Sequence, residues 1–323
     1  MRSAIVVTLA VSVACVGNRP PTSPVVEPTC AASRGDGVEW RRTAPLREVG
    51  SLDRWCEAVG PPSRIDARRG EERFDGSFAV VTWNTHIGAG DLDALVADLQ
   101  SSRLTGGRPV TTFVLLLQEA YRSGDPVPAR DEIVAAARRL RLNAIYVPSM
   151  RNGRPETARG DRGNAILSTL PLSGVTAIEL PLERQRRVAI EATITLPPEG
   201  GTTLPLHVVT AHLTNMVMHH LWLFSEPGRN RQAHALARAL SRDGAMIIGG
   251  DFNTWFGVRD AAYRALAAGM RPAAPDDRRP TFGPMRLDHL LFRLPDGWRA
   301  TVRRAASRYG SDHHALVALI ETR

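Results

Sequence analysis

Lysine is missing altogether: the formal charge of +8 comes from 41 arginines set against 33 acidic residues. A lysine-free, alanine- and arginine-rich chain points to a compositional bias. The basic balance alone therefore gives only modest support for a nucleic acid or an anionic membrane as partner. Cysteine is scarce and one-sided: Cys15, Cys30 and Cys56 are the whole set, which leaves thiols out of any site built from the rest of the chain. No repeat of fixed period occurs, which excludes solenoid arrays. The N-terminal apolar run, at about ten residues, is too short to cross a bilayer as a helix.

What stands at the start is a targeting pattern. Arg2 and the apolar stretch Ala4 to Ala14 fit the charged and apolar regions of an export signal. Cys15 follows directly and resembles the lipidated first residue of a bacterial lipoprotein, although Ser12 stands where leucine is usual. Membrane anchoring through Cys15 is the expectation, with ordinary export as the alternative. If Cys15 carries lipid, Cys30 and Cys56 remain as a pair; a disulfide between them is permitted outside the cytoplasm, and two free thiols are the other reading. The expected organisation is a signal over 1–14, a Pro-, Thr- and Ser-rich tether over 15–37, an extension packed on the domain edge over 38–77, and one large domain over 78–323.

Within that domain strands and helices alternate. Leu92, Leu95, Val96 and Leu99 repeat at helical spacing, as do Ile133, Val134, Ala137 and Leu140. A third helix is expected over 230–242. Residues 188–196 alternate and predict a strand with one wetter face. The mix suggests two sheets face to face with helices outside.

Several apolar strands end in polar groups. Phe78–Trp83 stops at Asn84, Phe113–Leu117 at Gln118-Glu119, Leu206–Ala211 at His212, and Ala245–Ile248 at Gly249-Gly250-Asp251-Phe252-Asn253. Asp288 precedes Leu290-Leu291-Phe292, and Asp312-His313-His314 opens the last strand. A carboxylate such as Glu119 at the end of an apolar strand is costly unless it is paired or binds metal. If these strands share a rim, their Asn, Glu, Asp and His side chains form a site for a hard cation and a phosphate.

Taken in order, Trp83-Asn84-Thr85, Gln118-Glu119, Gly163-Asn164-Ala165-Ile166-Leu167-Ser168, Ala211-His212-Leu213, Gly250-Asp251-Phe252-Asn253, Leu287-Asp288-His289 and Ser311-Asp312-His313 resemble the endonuclease/exonuclease/phosphatase superfamily. The resemblance covers 78–321. It implies an α/β fold, a four-layer α/β/β/α sandwich of two mixed sheets, and a Mg²⁺-dependent (or Mn²⁺-dependent) phosphodiester hydrolase. It also implies that Glu119 is the main metal ligand with Asn84 beside it, and that Asp312 adds a metal-side carboxylate. Asp251 would orient or deprotonate the attacking water. Asn253 would donate to the phosphate oxygen. His313 would face the phosphate with Asp288 on its other ring nitrogen. His212 would serve the leaving group, and Asn164 and Arg187 would contact substrate. His289 and His314 read as packing residues.

The expected substrate is a phosphodiester, nucleic acid first and phospholipid or inositol phosphate second, acted on by a monomer. The apolar stretch 216–224 beside His212 packs, covers the site or touches lipid. A surface binding module that kept the fold and lost turnover is the alternative from another class.

Overall fold

A computed structural model describes residues 37–67, 74–123, 132–153, 160–199, 202–215, 226–241 and 243–322. The expected signal, nearly all of the tether, Cys15, Cys30 and the apolar stretch 216–224 lie outside the described residues. In chain order the elements are β1 (Glu39–Arg42), α1 (Val49–Glu57), β2 (Ser63–Ile65), β3 (Ser77–Asn84), α2 (Leu92–Gln100), β4 (Phe113–Arg122), α3 (Ile133–Arg139), β5 (Asn143–Arg151) and β6 (Asp161–Ser168). There follow β7 (Leu172–Glu179), β8 (Val188–Glu199), β9 (Thr202–His212), α4 (Glu226–Ala239), β10 (Ala245–Asp251), α5 (Ala261–Ala267), β11 (Asp288–Arg293), β12 (Arg299–Arg304) and β13 (Leu316–Glu321).

The strands form two mixed sheets, ordered β1-β7-β8-β9-β10-β11 and β12-β13-β3-β4-β6-β5-β2. Alternate residues divide between layers, as the two-residue strand period requires. Phe78, Val80, Val114 and Leu116 join Ile190, Val208 and Ile247 between the sheets. Val81, Leu115 and Leu117 face α2 and α3 instead, and Val209, Met246 and Ile248 face α4 and α5. The result is the expected α/β/β/α sandwich. Every residue of β3 is buried, because both of its faces are covered.

Local chemistry sets the helix limits. Asp91 caps α2 by accepting from the Ala94 amide at 2.9 Å. α4 starts at Glu226, ahead of the expected 230, because Pro227 is tolerated in a first turn whose amides have no partner to lose. The wetter face expected on β8 is confined to its far end. Ala189 packs among the buried residues of the α4–α5 layer, and Glu191 is buried, with His207 Nδ1 at 3.0 Å from its carboxylate.

The segment before residue 78 supplies an edge strand to each sheet: β1 runs parallel to β7, and β2 antiparallel to β5. Arg42 donates to the fully buried Glu179, which also accepts from Arg186 Nε at 2.6 Å. Arg42 Nη2 reaches Asp53 on α1 at 2.7 Å. Cys56 on the same helix is buried and disulfide-bonded.

At one end of the sandwich the sheets come close. A Cβ on Gly249 of β10 would stand 2.7 Å from Leu116 Cδ1 and 2.9 Å from Thr82 Cβ of the opposite sheet. There Gln118 Nε2 donates to Thr82 Oγ1 at 3.2 Å and across the gap to Thr210 Oγ1 at 2.9 Å. Asn164 Nδ2 makes a second crossing, to Val188 O at 2.8 Å. Gly249→Ala overpacks this contact and is expected to cost about 1–3 kcal/mol, read as a lower midpoint in urea unfolding.

The approach to β11 is held by a polar loop. Arg286 donates to Asp277 O and, at 2.8 Å, to Asp276 Oδ1. Asp277 Oδ2 accepts from the Arg304 amide at 2.9 Å and from Arg279 Nη2 at 2.6 Å. The Arg279 side chain, helped by the Arg304 and Arg279 amides, holds the Asp277 carboxyl well below the usual carboxylate range, against a smaller opposing effect of burial. The folded-state value lies below the unfolded one. The stabilisation is therefore complete at neutral pH and is lost as pH falls from about 4 downwards. Asp277→Asn is expected to lower stability at pH 7 and to shrink the drop in urea midpoint between pH 7 and pH 3.

Candidate active site

The polar strand ends expected from the sequence meet where the sheets are closest. His212, Asp251 and Asp288 stand side by side in register at the ends of β9, β10 and β11. In the facing sheet Asn84, at the end of β3, stands opposite Gln118, within β4, which runs on to Arg122 and does not stop at Gln118-Glu119. Asn84 Nδ2 donates to Asp251 Oδ2 at 3.0 Å and joins the two rims.

Glu119 enters through a β-bulge. Leu117 pairs with Ala165, but Ala120 pairs with Gly163, so one extra residue sits in β4. Leu117 and Ala120 both face the α2–α3 layer. The bulge thus breaks the alternation and puts Gln118 and Glu119 together on the other side. Glu119 takes a left-handed φ of 51° to do so, a conformation that a non-glycine residue holds only when its surroundings enforce it.

Asp251 is almost fully buried. Its Oδ1 accepts from the Asn253 amide at 3.0 Å, and His212 Nε2 and His313 Nε2 lie 3.4 and 3.9 Å from its Oδ2. Burial, and then the charge of Asp288, push its carboxyl up to about 7, while His313, Asn84 and the Asn253 amide pull the other way. His313 Nδ1 bonds to Asp288 Oδ2 at 2.8 Å. Burial opposes charge on His313, but Asp288, helped by Asp251, outweighs it and raises the imidazole to about 10. Asp288 Oδ1 is buried with no hydrogen-bond partner among the described residues. Asp251, Asp288 and His313 offer ligand atoms within 4.8 Å of one another.

His313 is fixed from behind. Its carbonyl accepts from Trp83 Nε1 at 3.1 Å. Its amide donates to Ser311 Oγ, which itself donates to Asn84 O at 2.7 Å.

His212 is a different kind of histidine. Arg187 Nη1 donates to its Nδ1 at 3.0 Å, which leaves the proton on Nε2, facing Asp251. Burial, then Arg187, hold its pKa well below the ordinary value, so it is a neutral donor. Arg187 is buried, and burial lowers its own pKa to about 10. Beyond His212 stand Glu119 Oε1 at 4.0 Å and then Arg162 Nη1, 3.6 Å from Glu119 Oε2.

Three expected site residues hold unexpected positions. Asp312 is 41% exposed at its side chain and sits 3.1 Å from His86 Nδ1, outside the buried cluster. The Asn164 amide ties β6 to β8 and only lines the space beside Glu119. Asn253 Nδ2 donates to Leu213 O at 3.0 Å, which leaves one of its amide hydrogens for another acceptor. His289 is packed, as expected: it stacks on Phe252 at 5.6 Å. His314, half-buried, bonds to Ala305 O.

Arg162 and His86 are absent from the site read from the sequence, and Gln118 figures there only as the neighbour of Glu119. Arg162 directly precedes the Gly163-Asn164 motif, a signal that could have marked it. For the other two only the three-dimensional partner reveals the role.

Residues 81–313 match the Endonuclease/Exonuclease/phosphatase family. No curated protein is significantly similar to the chain in sequence. Among solved structures, an endonuclease/exonuclease/phosphatase from Beutenbergia cavernae DSM 12333 superposes with a TM-score of 0.55 at 18% identity, covering 76% of this chain and 71% of that one. A family protein from Leptotrichia buccalis C-1013-b gives 0.52 at 14% identity, covering 75% and 98%. At such identities the two structures speak for the fold alone, and the match over 81–313 carries the assignment: the chain belongs to the endonuclease/exonuclease/phosphatase family.

Proposed function

We propose that this protein is a divalent-cation-dependent phosphodiesterase acting on nucleic acid, a monomer exported and anchored at the cell envelope through Cys15. Its family consists of hydrolases of phosphoester bonds. The observation that carries the reading is the convergence of Asn84, His212, Asp251, Asp288 and His313 from both sheets at hydrogen-bonding range. The disulfide at Cys56 supports export, since such bonds persist in oxidising compartments.

Asp251, its carboxyl near 7, accepts the proton of the attacking water. Charged His313 faces the phosphate oxygens, and Asp288 fixes its tautomer and sustains its charge. Arg187 and Arg162 line the space beside Glu119 and His212 and bring positive charge to the anionic group. Asn253 turns its remaining amide hydrogen to the oxygen whose charge grows. Neutral His212 donates from Nε2 towards the leaving oxygen.

Glu119 and Asn84 would hold the cation, Mg²⁺ or Mn²⁺, because their oxygens are the hard donors that such ions take. Asp251, Asp288 and His313 are also near enough to share an ion; in this reading His313 instead turns to the phosphate, with its Nδ1 held by Asp288. Asp312 contributes from the rim through His86. A cation bound at this rim supplies positive charge to the phosphate oxygens.

Phe256 and Val258, 55% and 48% exposed just after the Asp251–Asn253 turn, favour a second reading in which the phosphodiester is carried by a lipid. Turnover on plasmid DNA, RNA, sphingomyelin and inositol phosphates, assayed in parallel, separates the two.

Purified protein is expected to hydrolyse bis(4-nitrophenyl) phosphate with Mg²⁺ and to lose that activity in EDTA. Glu119→Gln, His313→Ala and Asp288→Asn should each lower kcat by about 10² or more. Full activity in Glu119→Gln or His313→Ala would refute the assignment.

A further inference from the structure

A cleft of about 560 Å³ opens beside the candidate active site, within the roughly 300–1,000 Å³ typical of ligand sites. Its walls include Arg54 and Trp55 of α1, Met150 and Arg151 of β5, Arg162 of β6, and Leu182. Arg162 and Met150 also line the space that holds Glu119, Arg187 and His212, so cleft and site adjoin.

Its chemistry has one sign. No Asp or Glu is among the described residues that line it. Arg54 donates to Ser51 Oγ at 3.0 Å and Arg151 to Ala58 O at 2.6 Å, and neither pairs with a carboxylate among the described residues. Trp55 lines the same cleft half-buried. Cationic side chains around an aromatic ring are the combination that binds an unpaired nucleotide: the base stacks on the ring and guanidinium groups take the phosphates.

The outer wall lies outside the family match. Residues 51–58 lie before residue 81, where the family match begins. The Arg42–Asp53 pair and the disulfide at Cys56 hold α1 in place, so the wall is formed before substrate arrives.

We infer that this cleft is a nucleotide subsite that binds single-stranded nucleic acid next to the scissile phosphate, with a base against Trp55 and flanking phosphates on Arg54 and Arg151. The inference rests on the phosphodiesterase reading and narrows its substrate.

The test is equilibrium binding, which needs no turnover. A fluorescein-labelled 12-nucleotide single strand is titrated with the full chain in EDTA and followed by anisotropy. Trp55→Ala should weaken binding about tenfold or more, and Trp55→Phe should restore most of it. Arg54→Gln should weaken binding and flatten the dependence of log K on log salt by about 0.7, the value for one lost phosphate contact on a single strand. Arg54 is exposed, so this variant reports on the cleft even if Trp55→Ala fails to fold. Arg271→Gln, 78% exposed and outside the cleft, is the control for diffuse charge.

Equal losses in Arg54→Gln and Arg271→Gln, or unchanged binding in both Trp55→Ala and Arg54→Gln, would overturn the inference. So would binding to sphingomyelin–phosphatidylcholine vesicles without binding to the oligonucleotide. Oligonucleotide binding lost in Trp55→Ala and Arg54→Gln, in a wild type without phosphodiesterase activity, would support the subsite and sink the catalytic reading.

Discussion

Two sheets can share a polar site only where they come within reach of side chains no longer than asparagine and aspartate. Here Gly249 sets that distance. The two faces close up because β10 carries no side chain against Thr82 and Leu116. Gln118 then spans the gap to Thr210, and Asn84 bonds to Asp251. His313 from one sheet and Asp288 from the other complete the seam at 2.8 Å. Widening the gap by a methyl group would disturb all of these contacts together, so the site depends on packing beneath it as much as on the residues within it.

The close approach also explains the electrostatics. Asp251 and Asp288 are buried on neighbouring strands and cannot both be charged cheaply. Asp288 is bonded to His313, whose imidazole is raised, and Asp251 takes the raised carboxyl. His212, packed against Arg187, is driven to its neutral form. Two histidines of the same site are thus pushed to opposite charge states by their partners.

The N-terminal segment is part of the architecture. It finishes both sheets through β1 and β2 and is clamped by the buried Arg42–Glu179–Arg186 cluster, in which the carboxylate is shared by two guanidinium groups. That clamp gives α1 a fixed position over the cleft, so a part of the chain outside the family match can shape what reaches the rim.

The sequence by itself determined the layered α/β class, because the two-residue and helical periods record which face each element buries. Asn84, Glu119, His212, Asp251, Asp288 and His313 were also legible in it, since a polar group closing an apolar run is a local pattern, although β4 runs on past Glu119 to Arg122. Only the tertiary structure decided how those groups divide the work. The bulge that turns Glu119 inward, the exposure of Asp312 beside His86, the binding of the Asn253 amide to Leu213 O, and the recruitment of Arg162 all depend on neighbours far away in sequence. A side chain's direction and charge state are set by what packs against it, and that information is absent from any local stretch of the chain.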